Sequence, residues 1–277
     1  MNQRSHPAVN LPQSVSHDEC ARASTSEPTA TAASTPACAL PNRPASDERA
    51  GSLTLQLAGA PLRFLGDGAA FEPASGSLLV ADLHLGKAEA FGRGGLPVPG
   101  AVNGDTLTRL RSLCQRIPAS RLIVLGDLMH AALPESHPLF GELRNAVRGL
   151  PMPIAVVAGN HDRQAHRYAD LLGIELLAEP VRAGPFLLRH EPVPERGLHV
   201  LAGHIHPVLR LVGRADSLRL PCFWLRDGLT VLPAFGAFTG GWTIRPQPGE
   251  RALAIDGQRV HEIPVPPRER GRHAPLK

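Results

Sequence analysis

The chain has 277 residues, 43% of them hydrophobic and 19% charged, with a formal net charge of +4. That balance excludes collagen, coiled-coil and disulfide-scaffold classes and fits a globular chain. No apolar run approaches the ~20 residues of a membrane helix, and the first 30 residues show no secretory h-region.

Residues 1–50 are rich in Ala, Ser, Thr and Pro and contain no Phe, Trp or Tyr. They cannot bury enough apolar area to offset the entropy of ordering, so they read as a disordered leader. Asp18, Glu19, Glu27, Asp47 and Glu48 argue against a mitochondrial presequence, which is poor in acids. Residues 53–57 and 62–65 then read as a hairpin. Residues 77–81 are an apolar strand that stops at Asp82. Residues 104–116 have helical spacing through Leu107, Leu110, Leu113 and Cys114. Residues 121–125 read as a second buried strand, 138–150 as a helix, 153–157 as a third strand and 163–172 as a helix. Strands at 175–177, 185–189, 199–202, 218–225 and 229–232 follow, with little helix between them. The chain closes on a Pro/Arg-rich segment, 264–277, with Arg268, Arg270, Arg272 and Lys277. It reads first as a solvated end, with nucleic-acid contact as the alternative. The folded unit is therefore 51–263, an α/β domain of two packed sheets with outer helices. Its strand-rich second half predicts a second, more antiparallel sheet.

The cysteines, Cys20, Cys38, Cys114 and Cys222, form no CxxC pair. That suits a reducing, cytoplasmic setting and no cysteine zinc site. Histidine is the conspicuous residue, at 13 copies.

Each of the three buried strands ends in a polar cluster. The first gives Asp82-Leu83-His84, the second Gly126-Asp127 with His130, the third Gly159-Asn160-His161-Asp162. Two later strands add His190 and Gly203-His204-Ile205-His206. Ligands of open α/β sheets bind beyond the carboxyl ends of strands, so parallel pairing would gather these clusters at one edge. Carboxylate and imidazole without thiolate suit Mn, Fe or Zn. Residues two apart on an extended segment point the same way, so both members of Asp-x-His and of His-x-His would face one cavity. Glycine before Asp127, Asn160 and His204 permits sharp turns and close backbone approach. Two metals need a bridging carboxylate, and together they clamp the attacking and leaving oxygens of a phosphoryl displacement.

In this order the motifs resemble those of the calcineurin-like metallophosphoesterases, over about residues 77–207. The resemblance implies a four-layer α/β/β/α sandwich of two mixed sheets with outer helices. It implies two divalent cations that activate water for attack on phosphorus. Asp82, His84, Asp127 and His206 would hold one, and the bridging Asp127 with Asn160, His190 and His204 the other. His161 would act at the leaving oxygen, with Asp162 orienting its ring. A narrower resemblance lies in Asp82-Leu83-His84-Leu85-Gly86-Lys87, the GGLPVP of 94–99, and Leu188-Arg189-His190-Glu191-Pro192. These are similar to the bacterial PdeM-type, ligase-associated DNA damage response endonucleases. That group is linked with an ATP-dependent DNA ligase, a helicase and a nuclease-like protein. The leader is not part of its pattern, and His130 stands where the wider family also has Asp. Lys87 and Arg93 are expected to touch a substrate phosphate, and His130 to touch substrate or sit behind a ligand.

The expected activity is thus a phosphodiesterase or endonuclease on DNA, held through phosphate contacts with little base readout. The alternatives are a phosphatase or pyrophosphatase on a small nucleotide, and a non-catalytic scaffold for repair proteins. No membrane partner is expected, and a homo-oligomer is left open.

Overall fold

The computed structural model describes residues 46–47, 51–93, 102–130, 134–162, 165–213 and 216–265. The expected leader, apart from a two-residue strand, lies outside the described residues. So do the 94–99 loop, Arg163 and the segment beyond 265.

The first sheet takes its strands in chain order. They are β1 (Ser46–Asp47), β2 (Ser52–Leu57), β3 (Ala60–Leu65), β4 (Ala70–Glu72), β5 (Ser77–Val80), β6 (Arg121–Leu125), β7 (Ile154–Val157) and β8 (Glu175–Leu177). Pairing is antiparallel from β1 to β5 and parallel from β5 to β8. The β2–β3 hairpin turns on Ala58 and Gly59, at φ +50° and +78°, the double positive φ that matches strand twist. Four helices interrupt the parallel half: α1 (Lys87–Arg93), α2 (Val102–Arg116), α3 (Pro138–Arg148) and α4 (Ala165–Leu172). The start of α3 is set by Pro138 and by His137, whose Nδ1 accepts the Leu139 N–H at 3.3 Å.

The second sheet holds β9 (Val181–Ala183), β10 (Phe186–Leu188), β11 (His199–Ala202), β12 (Pro207–Val212), β13 (Ser217–Arg226), β14 (Leu229–Val231), β15 (Trp242–Thr243), β16 (Arg251–Ile255) and β17 (Val260–Ile263). It is mixed: β10, β11 and β14 pair in parallel, while β12–β13, β13–β14 and β16–β17 are antiparallel. That parallel centre matters more for the site than the antiparallel flanks the sequence suggested.

Both faces of β5, β6 and β7 are covered, which is why their sequences are unbroken apolar runs. Leu78, Val80, Leu122, Val124, Ile154 and Val156 pack under Leu107, Leu110, Leu113, Leu139, Leu143, Tyr168 and Leu172 of the helices. Leu79, Ile123, Leu125 and Val157 face the other way and meet Phe186, Leu188, Leu201, Phe223 and Leu253 of the second sheet. The outer face of the second sheet carries Leu187, Val200, Ala202, Leu229 and Val231, a cluster with no helical residue. Of the two helical layers the resemblance implies, the described residues fill one. Among the described residues, no helix is long and apolar enough to cross a membrane.

One polar pair is sealed between the layers. His199 is buried, and its Nε2 meets Thr230 Oγ1 at 2.8 Å. Burial pulls its pKa from 6.5 down to about 4. The folded value lies below the unfolded one, so the unfolded chain takes up the proton first. The stability this neutral His199 contributes is present above pH 6.5 and is lost as pH falls toward 4. The size is about 3 kcal/mol, from 1.36 kcal/mol per unit. In urea titrations at pH 7 and 4.5, His199→Gln should show a smaller acid-induced loss of stability than wild type; equal losses would refute this account.

Candidate metal centre

Five parallel strands aim at one edge. β5 leads to Asp82 and His84, β6 to Asp127, β7 to the 159–162 turn, β10 to His190 and β11 to His204 and His206. β14 closes the gap between sheets at that edge: Ala81 bridges Ala234, and the Phe235 N–H donates to Ala81 O at 2.7 Å.

The backbone there is not extended. Among the described residues six non-glycine positions have positive φ, and five of them are Asp82 (+52°), His84 (+48°), Asp127 (+48°), His204 (+72°) and His206 (+51°). The members of each Asp-x-His and His-x-His pair do share a cavity, but through left-handed kinks rather than the straight strand expected. Such conformations persist only where neighbours over-determine them. Here the Asp82 N–H donates to Gly126 O at 3.2 Å, the His84 N–H to Asp127 O at 2.8 Å and the Leu85 N–H to Leu128 O at 2.9 Å.

The glycines act by close approach. A Cβ on Gly126 would fall 1.9 Å from His190 Nδ1, and one on Gly203 would fall 2.6 Å from Asp82 Oδ2. One on Gly159 would fall 2.4 Å from Asp127 Oδ1.

Among the described residues three groups of ligand-type atoms result, each within 4.8 Å of one another: Asp82, His84 and His206; Asp127, His190 and His204; and His84, His130 and His161. In the first, His84 Nε2 faces His206 Nε2 at 3.2 Å, and His206 Nε2 lies 3.5 Å from Asp82 Oδ1. In the second, His204 Nδ1 faces His190 Nε2 at 3.0 Å. Asp127 Oδ2 stands between them, 3.7 Å from His84 Nε2 and 3.8 Å from His190 Nε2. The His190 Nδ1–H donates to Leu125 O at 3.2 Å, which leaves Nε2 as the bare nitrogen on the Asp127 side. Asn160, between Gly159 and His161, is exposed on the turn that packs on Asp127.

The charge balance fits cations. Asp82 and Asp127 are 0% and 2% exposed. Among the described residues their ion-pair contacts are all with histidines. Of those imidazoles, His84 adds little positive charge: burial, then His206 and Lys87, push its pKa down to about 2. Asp82 Oδ2 accepts the His204 N–H at 2.8 Å, but Oδ1 is buried with no hydrogen-bond partner. A buried, unpaired carboxylate oxygen is costly unless a cation reaches it. The facing pairs of ring nitrogens present lone pairs to the same spaces. The donor set therefore fits divalent metals.

The residues around these groups depart from the sequence reading in several places. Asp162 does not orient the His161 ring. Its buried carboxylate accepts N–H groups from Gly159 (3.0 Å), Met129 (3.2 Å) and Leu128 (3.3 Å), clamping the 127–130 and 159–162 turns together. Burial raises its pKa despite those bonds. The His161 Nδ1–H instead donates to His130 O at 3.0 Å, and the His161 N–H donates to Asp127 Oδ1 at 2.9 Å.

His130 sits behind a ligand. Its Nδ1 faces His84 Nδ1 at 3.3 Å, and its ring stacks on His161 and Phe91 with centroids at 4.8 and 6.2 Å. Burial first, then His161, lowers its pKa. Lys87 starts α1, and its Nζ donates to Thr239 O at 3.2 Å, 6.0 Å from the Phe91 centroid. Burial lowers its pKa as well. Arg93 ends α1, and its side chain lies outside the described residues. Two residues that the motifs did not indicate support the site. Glu179 accepts the His190 N–H, and Phe91 backs His130; neither sits in a recognisable pattern.

A family model for the calcineurin-like phosphoesterases matches residues 77–211, the span that carries every one of these groups. The Pseudomonas putida nuclease MPE is 37% identical, with a TM-score of 0.67, covering 76% of this chain and 100% of that one. The chain belongs to the calcineurin-like phosphoesterase family. As a member it is a phosphoester hydrolase with a metal-binding centre. An Aquifex aeolicus protein of unknown function matches at 15% identity and a TM-score of 0.34, over 47% of this chain and 78% of that one, too weakly to carry an argument. No curated protein gives a significant sequence match.

Gly126 tests the packing of this phosphoesterase centre. Gly126→Ala forces a methyl into His190 and strains a φ of +79°. The variant should keep its circular dichroism yet lose most of its bound metal by elemental analysis. Full metal content would show that His190 is not held where the geometry puts it.

Proposed function

We propose that this chain is a dinuclear metal-dependent phosphodiesterase that cuts DNA, an endonuclease of the ligase-associated type. The observation that carries the reading is Asp127 Oδ2 between two ligand groups, 3.7 Å from His84 Nε2 and 3.8 Å from His190 Nε2. Asp82, His84, Asp127 and His206 would hold one cation, and Asp127, Asn160, His190 and His204 the other. Once bound, such a pair supplies Lewis-acid charge and an activated water for attack on phosphorus. Mn, Fe and Zn all accept these donors, and Mn is the first to test.

The chain's own residues supply the rest. His161 is exposed at the cavity with Nδ1–H on the His130 carbonyl. That bond occupies Nδ1–H; with Nε2 also protonated, the imidazolium would hand its Nε2 proton to the leaving oxygen and return to the neutral Nδ1–H form. Its N–H bond to Asp127 fixes the distance from proton donor to bridging carboxylate. His130 holds the His84 ring by accepting the His84 Nδ1–H. The Lys87 ammonium, close enough to depress His84 and His130, adds positive charge where a phosphate would enter. The 37%-identical relative over its full length is a nuclease, which favours a DNA phosphodiester over a small nucleotide. Work beside an ATP-dependent ligase, a helicase and a nuclease partner belongs to the same proposal.

With Mn²⁺ and bis(p-nitrophenyl) phosphate, Asp127→Asn should fall to background, since removing the shared oxygen affects both ions. Retained activity would overturn the bridging role. His161→Ala should lose roughly 10²–10⁴-fold in kcat, the usual worth of a positioned proton donor, with metal content unchanged. Loss of metal would instead make His161 part of the ligand shell. A panel of single-stranded and duplex DNA, cyclic nucleotides and phosphate monoesters separates the endonuclease from a phosphatase.

A further inference from the structure

β12 begins at the metal-binding edge and leaves the sheet. Ala202 of β11 is level with Val231 of β14 and Trp224 of β13, whereas β12 pairs with β13 only from Pro221 down to Ser217. The β12–β13 hairpin therefore runs on past the edge that carries the ligands. Its root is fixed by Leu209, Cys222, Ile244, Ala252 and Ala254, which pack as one cluster. Side chains alternate along it. Arg210 shares its face with Val208 and Val212 and lies directly across from Arg219.

Two like charges directly opposite on neighbouring strands destabilise a hairpin. Among the described residues neither arginine makes a salt bridge. Arg210 Nη2 donates to Ser217 Oγ at 3.3 Å, and Arg219 Nη2 to Gly241 O at 3.0 Å. Both guanidiniums are exposed. The Gly241 carbonyl turns Arg219 back toward the centre, since a Cβ on Gly241 would lie 2.9 Å from His206 O. The strand from Pro207 to Arg210 spans ~10 Å at ~3.3 Å per residue.

We propose that Arg210 and Arg219 form a phosphate clamp on an arm beside the metal centre. It grips the nucleic-acid backbone a few nucleotides from the scissile bond. A guanidinium pair with spare donors suits phosphate oxygens. The pair carries no base readout, so it positions the strand and does not select sequence. This rests on the phosphodiesterase reading of the centre, and a small phosphoester would be too short to reach both.

The test uses the full, Mn-loaded chain and its Arg210→Ala/Arg219→Ala variant. The double variant should raise KM for long DNA roughly tenfold at ~0.1 M salt, and flatten the log–log salt dependence of binding by roughly one to two. Its hydrolysis of bis(p-nitrophenyl) phosphate should be unchanged. Binding is measured by anisotropy of labelled DNA in a His161→Ala background, independently of cleavage. Arg210→Lys/Arg219→Lys should recover part of the affinity. Unchanged affinity and salt slope would overturn the clamp. A wild type that binds DNA through these arginines yet hydrolyses only monoesters would overturn the nuclease reading and leave the clamp standing. A fall in both substrates would mean that the arm supports the centre structurally, and would also end the proposal.

Discussion

Two carboxylates buried without a cationic side chain are the constraint on which this structure turns. Asp82 and Asp127 sit at 0% and 2% exposure among imidazoles, of which desolvation keeps His84 neutral. In most cores a lysine or arginine would be drawn in to compensate. Among the described residues the only nearby ammonium, on Lys87, is tied to Thr239 O and Phe91 at the rim. The negative charge is left for metal ions, and on the proposed reading two of them would share it through Asp127.

That arrangement needs the backbone to do two unfavourable things together. It kinks at Asp82, His84, Asp127, His204 and His206 into left-handed conformations. It also brings three turns close enough that a methyl on Gly126, Gly159 or Gly203 would collide with a neighbour. Both are stable because the turns bond to one another. The Asp82 N–H reaches Gly126 O, the Gly203 N–H reaches His190 O and the Gly236 N–H reaches Asp82 O. Asp162 adds two bonds across to the 127–130 turn, from Leu128 and Met129, and a third within its own turn, from Gly159. The parallel centre of each sheet supplies the rigid frame, since five strands end side by side.

The sequence showed much of this because burial on both faces leaves unbroken apolar runs. Residues 121–125 and 153–157 could hardly be anything but buried strands once helices flanked them. The ligand-type residues were legible for a related reason: each follows directly on such a run. What stayed hidden depends on distant contacts. β4, β9 and β15 are two or three residues long and carry no period. β12 opens on Pro207, and RALAI of β16 fits a helix as well as a strand. The left-handed kinks leave only a faint mark on residue type: Asp and His are enriched among the non-glycine residues that adopt them, yet both are common in ordinary conformations. Asp162 was read as the partner of the adjacent His161, when turn geometry sends its carboxylate to backbone N–H groups. Sequence adjacency favours the first pairing, and desolvation with three waiting donors favours the second.

The placement of charge also has a physical logic. On the proposed reading, a centre that takes up divalent cations would repel a polyanion until those cations were present, so positive side chains packed against Asp82 and Asp127 would defeat metal binding. Positive charge meant to meet a polyanion would then have to stand off from the carboxylates by about a Debye length of ~8–10 Å. The hairpin of β12 and β13 would do this: Arg210 lies ~10 Å of strand beyond Pro207, while Lys87, nearer in, is lowered in pKa by burial. Metal affinity at the sheet edge and the proposed anion affinity on the arm would thereby be kept from cancelling, on a strand that starts next to a candidate ligand.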